Sequence, residues 1–177
     1  KEYFCGFQNN LSYSLLDCPV ACEQAACIGF SDELKITYEP SEQSSYDAVE
    51  DYSAYLHIVQ QNNKDGNDEI YYTQFDSSGH LQEYQKRITN NLYASQNPSL
   101  AVDSQNQVHL IWQDNRDNND EIYYAKIDAN DNIVINDKRL TFNVYQSQHP
   151  KILSSGDKLH IFWLESRNNA QNIYYKQ

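Results

Sequence analysis

The sequence predicts an all-β protein made of β-propeller blades, three four-stranded antiparallel units per chain, and three observations carry that prediction. A strand-turn-strand phrase recurs: Leu56-His57-Ile58-Val59, Val108-His109-Leu110-Ile111-Trp112 and Leu159-His160-Ile161-Phe162-Trp163 are each followed by a polar loop, then by Ile70-Tyr71-Tyr72, Ile122-Tyr123-Tyr124 and Ile173-Tyr174-Tyr175. The spacing hardly varies, with 15 residues from His57 to Tyr72, His109 to Tyr124 and His160 to Tyr175, and 52 then 51 residues between successive Tyr-Tyr pairs. A period of about 40 to 50 residues built from short strands marks propeller blades of about four strands each. Finally, the central strands are apolar or aromatic on both alternating faces, as Val108, Leu110 and Trp112 against His109 and Ile111 show. Such strands must be covered on both sides, which stacked blades provide and a one-sided sheet does not.

Taken in chain order, residues 1–31 form a separate Cys-rich leader. All four cysteines, Cys5, Cys18, Cys22 and Cys27, fall within it, and an even, local set reads as two disulfides with three alternative pairings. The rival, a zinc site, is disfavoured because the spacing lacks paired C-x-x-C knuckles and has no His nearby. The leader's apolar segments, Leu15-Leu16 and Ala25-Ala26, are too short to fold without cross-links. Asn10-Leu11-Ser12 is a candidate glycosylation sequon.

Residues 32–177 carry the repeats, each laid out as strands A to D with A innermost. Strand A lies near Ala48-Val49, Ser99-Leu100-Ala101-Val102 and Lys151-Ile152-Leu153; B is the His-centred run and C the Ile-Tyr-Tyr run. Strand D follows Asp76-Ser77-Ser78-Gly79 or Asp128-Ala129-Asn130-Asp131, residues that favour tight reversals, and ends at Lys86-Arg87-Ile88-Thr89 or Lys138-Arg139-Leu140-Thr141. After Tyr175 only Lys176 and Gln177 follow, so the last blade is expected to lack strand D. Conversely, Glu33-Leu34-Lys35-Ile36-Thr37 matches a D strand with no blade before it: Thr37, Thr89 and Thr141 precede His57, His109 and His160 by 20, 20 and 19 residues.

Three blades are fewer than the roughly four of the smallest usual ring. The expectation is therefore that Leu34, Lys35, Ile36 and Thr37 of one subunit pair with Ile173, Tyr174 and Tyr175 of another and complete its last blade. That contact is heterologous, giving a ring if the rotation closes and a filament if it does not, and it covers an otherwise exposed strand edge. A fragment of a longer propeller is the alternative.

With 13 basic against 25 acidic residues the chain carries a net charge of −12, which argues against a nucleic-acid groove or an anionic membrane surface. Cationic ligands, calcium and neutral sugars remain. No apolar stretch approaches the roughly 18 to 20 residues of a membrane span. A start at Lys1 in place of Met, beside a disulfide-ready leader, predicts a processed, secreted chain, extracellular or at the cell surface.

The loops between strands B and C are the most charged part of each repeat. Asp65 and Asp68, then Asp117 and Asp120, are candidate calcium ligands, since calcium takes clustered carboxylate and amide oxygens. The third copy has lost most of these acids, which favours a hairpin held by Asp, Glu and Arg contacts, with Arg116 and Arg167 reaching carboxylates of their own blade. His57, His109 and His160 sit among Leu, Ile, Val and Phe, so a hydrogen-bonded packing role is favoured over a metal site or channel lining. The Tyr-Tyr pairs read as blade packing. Trp112 and Trp163, replaced by Gln60 in the first copy, are the sugar-stacking candidates if they reach a rim, with a core position as the plainer reading.

His109-Leu110-Ile111-Trp112, Asp114-Asn115-Arg116, Glu121-Ile122-Tyr123-Tyr124 and Arg139-Leu140-Thr141 together resemble the sialidase-like, BNR-type propellers of bacteria and archaea over residues 32–177. The resemblance implies the propeller fold; function is implied only weakly, because propellers host hydrolases, lectins and scaffolds alike. A sialidase would need three arginines converging on the substrate carboxylate, with a Tyr nucleophile and an acidic partner at unrepeated positions. All four arginines, Arg87, Arg116, Arg139 and Arg167, occupy repeat-equivalent sites, and neither Asp103-Ser104-Gln105-Asn106 nor Asp128-Ala129-Asn130-Asp131 makes a proper Asp-box. The sequence therefore predicts a non-enzymatic, cofactor-free secreted propeller that self-assembles into a ring or filament as a scaffold or binding surface. A multivalent glycan-binding lectin is the alternative, and a sialidase-like hydrolase the third reading.

Overall fold

The computed structural model describes residues 36–37, 43–168 and 170–177. The chain divides into two units, Lys1–Tyr38 and Glu39–Gln177, and the second carries the repeats. Cys5, Asn10, Cys18, Cys22, Cys27, Leu34 and Lys35 lie outside the described residues; Ile36 and Thr37 are described and lie in no strand.

Three antiparallel sheets follow one another. The first is β1 (Gln43–Glu50), β2 (Leu56–Asn62), β3 (Glu69–Phe75) and β4 (Leu81–Arg87), ordered β1-β2-β3-β4. The second repeats that order with β5 (Ser95–Val102), β6 (Val108–Asp114), β7 (Glu121–Ile127) and β8 (Ile133–Arg139). The third has three strands, β9 (Ser147–Ser155), β10 (Lys158–Arg167) and β11 (Ala170–Lys176), and no strand pairs with the outer edge of β11 among the described residues. The described residues contain no helix, and so none long and apolar enough to cross a membrane.

Local chemistry explains why the chain reverses where it does. Asp76 Oδ1 accepts the N–H groups of Ser78 and His80, and Asp128 Oδ1 those of Asn130 and Asn132, all at 2.9 Å. Asp51 and Asp103 do the same between the first two strands of their sheets. These carboxylates replace the backbone partners that a turn leaves unsatisfied. The left-handed residue of the β3–β4 turn is Gly79 (φ 77°) and that of the β7–β8 turn Asp131 (φ 62°), residue types that tolerate it. Asn97-Pro98 and His149-Pro150 break the pairing register of β5 and β9, where a missing N–H costs no ladder bond.

Alternation along β6 sends Val108, Leu110 and Trp112 into one apolar cluster, where they meet Val59, Ile70, Tyr72 and Ile88 of the first sheet. Ile111, with Ile122 and Tyr124 of β7, enters the other cluster, against Ile152, Ile161 and Trp163 of the third sheet. The second sheet is thus covered on both sides. The first strands of the three sheets are tied directly: Asp47 Oδ2 accepts from Ser99 Oγ (2.7 Å), and Ser99 Oγ accepts from Ile152 N–H (3.3 Å).

Candidate functional site

The corner where one sheet hands over to the next is rebuilt almost identically at both junctions. Arg87 forks between Asp65 (3.0 Å) and Glu69 (3.1 Å), and Arg139 between Asp117 (2.9 Å) and Glu121 (2.6 Å). The same two arginines donate through Nε to the carbonyls of Thr89 and Thr141. Asn67 and Asn119 then reach across to the carbonyls of Asn91 and Tyr93, and of Asn143 and Tyr145, in the following loop. Gln61 and Gln113 accept the bulge N–H groups of Asn97 and His149, and Asp68 and Asp120 accept from Gln96 and Gln148. Each sheet therefore grips its successor through a polar clasp encoded in the repeat.

The connecting loops held by this clasp expose apolar side chains. Leu92 is 95 % exposed, Val144 88 % and Phe142 73 %, with Tyr93 half exposed beside them. The Arg139 guanidinium lies 4.9 Å from the Phe142 ring centroid, and Arg167 lies 5.2 Å from Tyr145 and 4.4 Å from Tyr174. Arg116 is fixed by Asp114 (2.7 Å) and Asp137 (3.1 Å) and covers Tyr123. Burial pushes the Asp114 carboxyl up, but hydrogen bonds from Arg116 and Ser95 outweigh it and hold the group below the usual carboxylate range. Burial and hydrogen bonds to Asp65 and Asp117 raise the phenols of Tyr71 and Tyr123, which stay protonated. The corner thus combines exposed apolar rings with planar, fixed charge.

The histidines perform the packing role that their neighbours predict. His57, His109 and His160 each stack on the tyrosine 15 residues later, with Nδ1 at 2.6, 2.7 and 2.8 Å from the hydroxyl. Nε2 of His57 lies 3.4 Å from Asp51 and that of His109 3.1 Å from Asp103. A carboxylate only accepts, so Nε2 of His109 carries the proton and Nδ1 accepts from Tyr124. Burial lowers both histidines against the opposing pull of Asp51 and Asp103, which keeps the rings neutral.

Other candidates fall elsewhere. Trp112 is 0 % exposed and Trp163 9 %, and their indole N–H groups donate inward to Asp114 and Glu165 (both 3.1 Å). Neither is a rim platform, because the alternation of β6 and β10 turns both into the apolar layer between sheets. Asp65 and Asp117 are taken up by arginine and a tyrosine hydroxyl, Asp68 and Asp120 by glutamine. Among the described residues no three His, Cys, Asp or Glu are grouped to hold a metal ion, and the hairpin reading fits the contacts of these loops. Arg116 and Arg167 do bind carboxylates of their own blade, Asp114 and Glu165. Sequence reasoning missed Leu92, Tyr93, Phe142 and Val144; their signal was the recurrence of an apolar residue and a tyrosine at Leu92-Tyr93 and Val144-Tyr145.

A scan of protein-family models found no match to this chain, and a search of curated proteins found none either. Solved structures are similar in fold. An endo-1,4-β-xylanase from Bacteroides thetaiotaomicron aligns with a TM-score of 0.50 and 16% identity, over 81% of this chain and 56% of that one. A family-43 endo-arabinanase from Bacillus licheniformis aligns at 0.44 and 14% (75% and 50% covered). A fucose lectin from Kordia zhangzhouensis aligns at 0.46 and 17% (75% and 92%). The chain spans about half the length of the glycoside hydrolases it matches. The fold shared with the xylanase is in keeping with the predicted propeller-type architecture, and nothing in it singles out the sialidase-like type.

The fold is shared with an endo-1,4-β-xylanase, so the expectation of a non-enzymatic chain does not stand. That expectation tested only the sialidase constellation of three arginines, a Tyr nucleophile and its acidic partner, together with the Asp-boxes. Glycoside hydrolysis more commonly uses a pair of carboxylates, to which the placement of arginines is irrelevant.

Proposed function

We propose that this chain is an exported, glycan-binding propeller protein that works as an assembly of copies, in a ring or filament. The observation that carries glycan binding is the pair of corners, with Leu92 and Tyr93 exposed at the first and Phe142 and Val144 at the second, each in a repeat whose arginine is locked between carboxylates, and with Arg139 against the Phe142 ring. Sugars present an apolar C–H face to such rings and hydroxyls to fixed donors and acceptors. A net charge of −12 favours neutral over anionic glycans, and repetition of the corner raises avidity without a strong single site. Assembly is supported by the third sheet, whose outer side leaves Leu153, Ile173 and Tyr175 exposed. The test is a neutral-glycan array probed with the full chain. Binding that is lost in Phe142→Ala supports the reading, and a blank array at high concentration defeats it.

The second reading is polysaccharide hydrolysis, the activity named for the xylanase that shares this fold. Asp47 is the acid it would rest on, held in place by Ser99 Oγ and by Leu100 N–H (3.3 Å), with Lys151 3.7 Å away. Reducing ends released from xylan or arabinan, and lost in Asp47→Asn, would establish it over simple binding.

A further inference from the structure

On the first two sheets the last strand ends in a fixed set of bonds to its neighbour. Ile88 N–H donates to Ile70 O (2.8 Å), and Leu140 N–H to Ile122 O (2.7 Å). Thr89 Oγ1 and Thr141 Oγ1 accept the N–H groups of Ile70 and Ile122, both at 2.8 Å. Arg87 and Arg139 stand opposite Tyr71 and Tyr123 and reach two carboxylates each. The third sheet differs at every one of these points. Ile173, the counterpart of Ile70 and Ile122, is 74 % exposed. Where the other sheets have Asp65 and Glu69, or Asp117 and Glu121, it has Asn168 and Asn172. The clasp residues have gone too: Gln61, Asn67 and Asp68 correspond to Leu164, Ala170 and Gln171. This side is not built to grip another blade of the same kind.

One further stretch of the chain has the same ending. Leu34-Lys35-Ile36-Thr37 aligns with Lys86-Arg87-Ile88-Thr89 and Lys138-Arg139-Leu140-Thr141, and at the fork position it carries Lys in place of Arg. The loss of the arginine and the loss of its two carboxylates fit each other. A guanidinium fork facing two amides would lack the charges it is shaped for, whereas a Lys ammonium on a flexible stem reaches water. Leu34 in turn corresponds to Lys86 and Lys138, which pair with Tyr72 and Tyr124. A leucine at that position would add apolar cover to Tyr175.

We infer that the outer edge of β11 is the docking site for residues 34–37 of a second copy, with Ile36 N–H on Ile173 O, Thr37 Oγ1 on Ile173 N–H, and Lys35 opposite Tyr174 beside Asn172. This rests on the assembly reading above and names its junction. Each copy lends one segment and accepts another, so two copies bring six sheets to a ring. A chain of charge −12 repels its own copies. The junction falls at the one corner where these acids have become Asn168, Gln171 and Asn172.

Light scattering of the full chain at micromolar concentration tests the junction. The expected result is a multi-copy particle for the natural sequence and single copies for Ile36→Asp. Asn172→Glu, which returns a carboxylate beside Lys35, should tighten association roughly two- to fivefold. Asn172→Lys should loosen it by a similar factor, and Lys35→Glu combined with Asn172→Lys should restore it. A natural chain that stays single overturns both the assembly and this junction. Copies that associate but ignore Ile36→Asp and the exchange at 35 and 172 keep the assembly and overturn the junction. Should Ile36→Asp fail to fold, the exchange decides alone, since Asn172 is exposed.

Discussion

The second and third sheets are written in nearly the same phrase and end in opposite circumstances. Ile122 and Tyr124 of the second are buried beneath the third, while Ile173 and Tyr175, their counterparts, face outward. His109 and Tyr124 form a buried pair; His160 and Tyr175 keep the same stacked geometry in the open. The pairing geometry is therefore a property of the strand hairpin, and burial is a property of position in the stack. The clasp follows burial: Asn119 and Asp120 hold the loop and first strand of the third sheet, where their counterparts are Ala170, which has no polar side chain, and Gln171, which has no carboxylate.

Paired substitutions sharpen that contrast, and chemical denaturation reads them. Trp112→Ala should cost about 3 to 5 kcal/mol and Trp163→Ala about 3, since Trp112 is fully buried and Trp163 keeps an exposed margin. In single copies, Ile122→Ala should cost about 2 to 5 kcal/mol, against less than about 0.5 for Ile173→Ala, whose face is open there. Equal losses at Ile122 and Ile173 would break the comparison. Glu121→Ala removes an acceptor shared by Arg139, Thr141 and Asn119. With Arg139 partly exposed, a loss of about 1 to 3 kcal/mol is expected, while Asn172→Ala should stay within about 0.5.

A smaller effect should come from pH. Burial holds His57 and His109 below the ordinary 6.5, so on acidification the unfolded chain takes up these protons first. Stability is then full above about 6.5 and declines as pH falls below it. Asp103 and Asp114 are held below 3.8 despite burial, by backbone and His109 hydrogen bonds in one and by Arg116 and Ser95 in the other. They extend the same trend to more acid solution. The denaturation midpoint should be lower at pH 5 than at pH 7; a flat midpoint would show that the buried histidines do not titrate with unfolding. Phe142→Ala should move stability least, within about 0.5 kcal/mol.

Strand positions and turns are legible in the sequence because period-two alternation, Asx turns and a constant repeat each act locally and agree. The arginine partners are legible too, since Arg116 and Arg167 lie two residues from Asp114 and Glu165. The exposed loop residues are not. A core position is the plainer reading of Trp112 and the one the structure shows, whereas Phe142 looks like a connector and only the packing of sheet on sheet leaves it exposed. The asparagines show the same limit: Asn67 and Asn119 serve carbonyls 24 and 26 residues away, a reach that no local pattern predicts.

By itself, then, the amino-acid order determined how many hairpins form, where they reverse and which residues alternate, because those outcomes depend on neighbours along the chain. Which of two equivalent faces becomes interior, and which loop stays open to solvent, was decided by the stacking of sheets. Burial depends on what arrives from elsewhere in the fold, and the apolar phrase common to the three repeats does not say which copy will be covered.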